Sequence, residues 1–272
     1  MTRQTRCWSL LIVTTWFVAA LSPAAGVLGD EVTASASEAR VSVSINPAVI
    51  ELRGVHGDSF ERRISVTNGT ASALRFVIDV QDVVIRDGRR TFEPAGVTSG
   101  SIAATAVADP PELILESGES GSAVVELRVP SATTVRAVAI FFRSRMSNGG
   151  PYGAAVGLNL ASLVTFHLDG HSELSRRDLR IQATATGLIF TQTVSNEGEE
   201  PLFAEGFVAL IDGRGQVRDR VELVRTRLLP GEIAELRGES LPQILPGSYR
   251  AVATVACEDR LLVDEAIIRL GE

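Results

Sequence analysis

The stretch FAEGFVALIDGRGQVRDRVELV, residues 203–224, decides the fold. Phe203 to Ile211 and Gln216 to Val224 are short apolar or alternating runs, and the turn-formers Asp212-Gly213-Arg214-Gly215 lie between them. A side-chain period of two on both sides of a Gly- and Asp-rich break reads as two strands and a hairpin, because neither run carries the 3.6-residue period of a helix. The same pattern continues outward through Leu179 to Thr186, Leu188 to Ser195, Glu232 to Arg237, Ser248 to Cys257 and Leu261 to Leu270. Asn196-Glu197-Gly198, Pro230-Gly231 and Pro246-Gly247 supply the remaining turns. Seven strands at intervals of about a dozen residues predict an immunoglobulin-like or fibronectin-like sandwich over residues 178–272.

The preceding residues, 40–169, give a second sandwich of the same class. Strands are expected at Val41 to Ile45, Val49 to Leu52, Phe60 to Thr67, Arg75 to Val84, Glu112 to Leu115, Ala123 to Val129, Arg136 to Arg145 and Val156 to Leu168. Asn68-Gly69 and Asp87-Gly88 are read as turns, and the Gly-, Ser- and Ala-rich run from Glu93 to Ala108 as a long loop with at most a short helix. Arg136 to Arg145 is apolar on both parities around Phe141 and Phe142, which places it centrally in a sheet. Polar Asp169 to Asp178 reads as the linker. Each half has a strand ending in Asn (Val66-Thr67-Asn68, Val194-Ser195-Asn196) followed later by a Gly-Glu turn, a pattern that two ordinary turns explain.

Residues 1–29 carry an export signal. Arg3 and Arg6 precede an apolar run from Trp8 to Leu21, too short to span a bilayer, and small residues around Ala24-Ala25-Gly26 place the mature start between Ala25 and Asp30. Cys7 leaves with that segment, so Cys257 has no partner for an intramolecular disulfide and stability must come from apolar burial. The net charge is −7 and all 26 basic residues are arginine, a balance that disfavours nucleic acid as a partner. The fold class is all-β: two immunoglobulin-like sandwiches in tandem after a signal peptide, in the periplasm or at the cell surface of a bacterium. Contact with a membrane is expected only through a partner.

Residues with catalytic potential are few. His167 and His171 are four apart, about 13 Å along an extended strand, which is too far to share an ion without a turn at Gly170. Gly118-Glu119-Ser120-Gly121 lacks the helix and the second glycine of a nucleophile elbow. Asn68-Gly69-Thr70 matches a glycosylation acceptor, and a tight turn explains it. Adjacent arginines such as Arg62-Arg63 point to opposite faces of a strand, whereas Arg143 and Arg145 share one. No enzyme, metal, cofactor or small-molecule substrate is expected.

Several ordered features of the first half together resemble the amino-terminal domain of periplasmic pilus-assembly chaperones of the PapD type. These are Ala48-Val49-Ile50, Ile64-Ser65-Val66-Thr67-Asn68, Asp109-Pro110-Pro111 leading to Ser117-Gly118-Glu119, Phe141-Phe142, and the long strand Val156 to Phe166. The second half is similar to generic bacterial Ig-like modules. The resemblance implies that the last strand of the first domain is lent to an incomplete secreted or surface subunit, by strand addition. Val156, Leu158 and Leu160 have the alternation such a donor needs, and with Phe141 and Arg143 they make up the expected partner-binding set. The family also anchors its client's terminal carboxylate with an Arg and a Lys in the cleft between domains; Pro47 and Thr165 stand at those positions here, and neither is charged. Two readings follow. One is a chaperone-like module that binds β-rich subunits; the other is a structural or adhesive accessory protein of the cell surface without chaperone activity.

Overall fold

The computed structural model describes residues 42–146, 156–184, 187–240, 246–258 and 260–271. The expected export segment and mature start, and the Gly-rich stretch after Met146, lie outside them. The first sandwich is built from β1 (Ser42–Asn46), β2 (Val49–Arg53), β3 (Ser59–Gly69), β4 (Leu74–Arg86), β5 (Arg89–Pro94), β6 (Val107–Asp109), β7 (Glu112–Leu115), β8 (Ser120–Arg128), β9 (Ala137–Met146) and β10 (Val156–His167). One sheet runs β1-β3-β8-β6; the other runs β2-β10-β9-β4-β5, with β7 also paired to β4. Buried residues from both inner faces, among them Leu52, Ile64, Val66, Phe76, Val125, Ile140, Phe142, Val164 and Phe166, interdigitate as the core.

The second sandwich contains β11 (Leu174–Thr184), β12 (Gly187–Asn196), β13 (Leu202–Asp212), β14 (Val217–Leu228), β15 (Ile233–Glu239), β16 (Gly247–Cys257) and β17 (Arg260–Leu270). Its sheets are β11-β12-β15 and β14-β13-β16-β17, around Phe190, Val208, Leu210, Leu236 and Ala251. The hairpin read from residues 203–224 is β13–β14, closed by Asp212, whose carboxylate accepts from the backbone N–H of Arg214 and Gln216. The protein is all-β, a pair of sandwiches.

Three details differ from the sequence reading. Arg89–Pro94, read in part as loop, is a strand: Asp87-Gly88 closes a hairpin that pairs it with β4. β11 begins at Leu174, inside the polar stretch read as linker. The loop after β5 holds a 3-10 turn, Ala103–Thr105, in keeping with the short helix allowed for there, but also the short strand β6, which was not expected.

The two asparagines are not turn residues. Asn68 ends β3 fully buried, donating Nδ2 to the carbonyls of Ser72, Leu115 and Glu116 while its Oδ1 accepts from Thr70. Its backbone exchanges two hydrogen bonds with the Gly118-Glu119 turn. Asn196 repeats the arrangement: it is fully buried, Nδ2 donates to Glu200 and Leu228 carbonyls, and the backbone exchanges two bonds with Gly231-Glu232. Both sandwiches therefore close the same corner with the same side chain, which satisfies buried carbonyls that the turn leaves unpaired.

The described residues beyond position 38 form one compact unit. A small apolar cluster of Val83, Ala137, Ala139 and Leu229 joins the sandwiches, and the Ile233 N–H donates to the Gly88 carbonyl at 2.9 Å. Arg90 holds both Glu232 oxygens at 2.8 and 3.0 Å and the Arg227 carbonyl at 2.8 Å, while Arg227 reaches back to Glu51. The short connection after β10 is pinned by Glu200. It accepts from Leu168 N–H at 2.8 Å, Gly170 N–H at 3.1 Å and Arg136 Nε at 3.2 Å, with side chains only 6% and 11% exposed for Glu200 and Arg136.

Candidate functional site

β10 is antiparallel to β9 along its whole paired length, Val156 opposite Met146 through Thr165 opposite Ala137. On its other side β2 runs parallel to it only from Leu163 to His167. Asn46-Pro47 ends β1 before this point, and β1 pairs instead with β3 in the opposite sheet. Among the described residues, the half of β10 that precedes Leu163 therefore has a hydrogen-bonded strand on one side only.

The direction of its free backbone groups follows from the bonds further along. Leu163 N–H donates to Ala48, and the His167 carbonyl accepts from Gly54, so odd-numbered residues face the β2 side; Phe166 N–H donates to Arg136, so even-numbered residues face β9. Strand alternation then turns the N–H and C=O of Gly157, Asn159 and Ala161 outward along the open edge. The segment Gly157-Leu158-Asn159-Leu160-Ala161 carries no charge and no proline. Three other edges are guarded: β17 bears Asp264, Glu265 and Arg269 and has Arg176 donating to its Val263 carbonyl, β14 bears Arg218, Arg220, Glu222 and Arg225, and β5 ends in Pro94. Charges and proline are the usual devices against unwanted strand pairing, and the β10 edge has neither.

The expected partner-binding residues divide between two faces. Leu158 and Leu160 stand opposite Ser144 and Phe142, half-buried and packed against the first core. Val43 and Ile45 of β1, also half-buried, pack against the same core from the other sheet, so four aliphatic side chains line the seam where the sandwich edge is open. Val156 pairs with Met146 at the start of the strand. Phe141 and Arg143 belong to the outer face of the sheet, opposite Ala161 and Asn159. Phe141 meets Phe92 edge-on at 5.3 Å, and the Arg143 guanidinium lies over the Phe141 ring at 4.4 Å with one terminal nitrogen 3.1 Å from Asp79. Leu158 and Leu160 therefore do not form one patch with Phe141 and Arg143: the two pairs stand on opposite faces of the same sheet.

Pro47 is at the bend between β1 and β2, and Thr165 is buried, its hydroxyl donating to the Ile50 carbonyl at 3.3 Å. Neither provides a charge. A recess of about 540 Å³ near the junction of the sandwiches is lined by Arg53, Asp169, Glu200 and Glu258, with His167, Gly54 and Gly170. Burial holds the His167 pKa below its ordinary value near 6.5, against the opposing pull of Glu200 and Glu51.

No protein-family model matches the sequence, and no curated protein matches it. Solved structures of fimbrial chaperones are similar to it. One is the class 5 fimbriae chaperone CfaA, at 14% identity and a TM-score of 0.41, over 84% of this chain and 100% of that one. Another is the SafB chaperone in complex with the SafA pilin of Salmonella enterica, at 14% identity and a TM-score of 0.37, over 85% and 97%. A third is the CupB2 chaperone of Pseudomonas aeruginosa, at 12% identity and a TM-score of 0.38, over 84% and 100%.

Proposed function

We propose that this protein is an exported, chaperone-like binding module, working in the periplasm or at the cell surface, that takes one strand of a β-rich secreted or surface subunit onto the open edge of β10. The observation that carries the reading is the unguarded run Gly157 to Ala161, whose outward N–H and C=O groups have no hydrogen-bonded strand beside them among the described residues, above a seam lined by Val43, Ile45, Leu158 and Leu160. An added strand gains main-chain hydrogen bonds from the edge, and its alternate apolar side chains enter the seam. Nothing in this mode of action requires catalysis.

Asn159→Pro tests it. Proline removes an N–H that faces outward and blocks the edge sterically, at an edge position where strands tolerate it. The variant is expected to melt within a few degrees of wild type and to lose the protein that co-purifies with wild type from an envelope extract. Undiminished co-purification with an unchanged melt would overturn the reading.

A further inference from the structure

The last strand of the second sandwich, β17, is apolar on both of its faces. Leu262, Ile268 and Leu270 pack against the second core, whereas Leu261, Val263 and Ile267 point away from it and are 68%, 45% and 77% exposed. The outward row continues across the sheet, because residues opposite one another in register share a face. Ile267 stands opposite Arg250 and Arg250 opposite Ile211; Val263 stands opposite Thr254 and Thr254 opposite Phe207. A solvated sheet face is ordinarily polar, and this one is not. The charges that lie among these rows come in opposite pairs: Arg250 with Glu265 at 3.8 Å, Arg220 with Glu222 at 3.2 Å and Arg225 with Glu205 at 3.4 Å. The Arg220 guanidinium also lies over the Phe207 ring at 3.7 Å.

We infer that a second copy of this chain covers this face, sheet on sheet, so that two molecules join through their second sandwiches. The area is sufficient. Four strands about 4.8 Å apart, the longer ones about 37 Å in length, give a footprint of about 700 Å² before side-chain relief is added, close to the roughly 800 Å² per partner of a stable interface. Charge favours a like molecule here and not elsewhere. The chain carries a net charge of −7, so copies repel in general, but within these rows arginines and carboxylates balance. A two-fold axis along the strands sets β17 of one copy on β14 of the other. Glu265 then meets Arg220, and Ile267 meets Val217, itself 61% exposed, each contact occurring twice and no like charges facing each other. β13 and β16 are paired on both sides, so the face presents side chains alone and takes a surface rather than an added strand. It is therefore distinct from the β10 edge, and the inference does not depend on strand addition.

Sedimentation velocity of the mature protein tests it. Wild type is expected to sediment as a dimer at about 10 μM, the range in which an interface of modest affinity is populated. Ile267→Glu and, separately, Leu261→Glu should weaken the dimer at least about tenfold, because each carries an unpaired carboxylate into the contact. Both should melt as wild type does, since the replaced side chains are exposed in the single molecule. Val107→Glu, at an exposed position of the first sandwich, should leave the dimer intact. A wild-type monomer at about 100 μM would overturn the inference. So would a dimer that survives both β17 variants, and one that Asn159→Pro disrupts while they do not would place the contact at the β10 edge instead. If wild type is monomeric and Ile267→Glu loses a protein that co-purifies from envelope extract, another protein covers the face and self-association is overturned.

Discussion

Replacing Glu200 by alanine should be among the most destabilising single changes outside the two cores. Its carboxylate serves the Arg136 guanidinium and the backbone N–H groups of Leu168 and Gly170 at once, in a setting where both charged side chains are nearly buried. Removing it orphans a buried cation, a loss measured at about 3–5 kcal/mol for pairs of this kind. The Leu168 N–H, buried with its residue, would lose its acceptor as well, a further ~1–3 kcal/mol if no water reaches it. These terms overlap, so a total of about 4 kcal/mol is expected against roughly 5–15 kcal/mol for a whole domain. Urea unfolding at pH 7, followed by tryptophan-independent far-ultraviolet circular dichroism, reads the change as a shift of the midpoint. Glu200→Gln keeps one acceptor and should lose about half as much. Arg136→Leu combined with Glu200→Leu should be more stable than the sum of the single losses, because the pair is then removed without leaving a charge behind. A loss below about 1 kcal/mol for Glu200→Ala would refute the reasoning and show that water screens the pair.

Two further outcomes follow from buried polar groups. His167 takes up its proton less readily in the folded chain than at its ordinary value near 6.5, so below that pH the unfolded chain binds the proton first and acid favours unfolding. Its contribution is therefore full above pH 6.5 and lost as pH falls through the lowered folded value; His167→Gln should flatten the decline of the urea midpoint in that window, and an unchanged slope would show that His167 is not its source. Asn68→Asp should destabilise more than Asn68→Ala, by about 3 kcal/mol or more in thermal or urea unfolding, since a carboxylate would face three carbonyls that now accept from Nδ2. Equal losses would mean that water takes over the site.

Much of this architecture follows from local pattern. Arg136 to Arg145, apolar on both parities, is indeed the central strand between β10 and β4, and the 203–224 hairpin forms where its turn residues fall. β5 escaped because Arg89-Arg90-Thr91 carries no apolar alternation; its pairing to β4 comes from the hairpin turn alone. The Asn-then-Gly-Glu pattern was visible in both halves, but its meaning depended on carbonyls such as Leu115 and Leu228, tens of residues away. Arg90–Glu232 and Arg136–Glu200 were invisible for the same reason: no local spacing marks an ion pair formed between two sandwiches. The alternation of Val156, Leu158 and Leu160 could be read, whereas the openness of their edge could not, because it depends on where β2 begins. Arg143 was identified with its strand neighbour Phe141, but its unpaired Nε emerges only from the packing around it.

The buried Asn68 also bears on how the protein ages. Asn-Gly is the dipeptide most prone to spontaneous deamidation, a reaction in which the glycine nitrogen attacks the asparagine side-chain carbonyl. Here the carboxamide is fixed by five hydrogen bonds to Thr70, Ser72, Leu115 and Glu116, and Gly69 is paired in register with Ser42. The attacking geometry is out of reach while the corner is intact. Deamidation should then track transient opening of the first sandwich, and each event would leave an acid where the corner needs a donor, so that a damaged chain closes less stably than before. The same amide that ties the corner thereby makes the unfolded chain a perishable one.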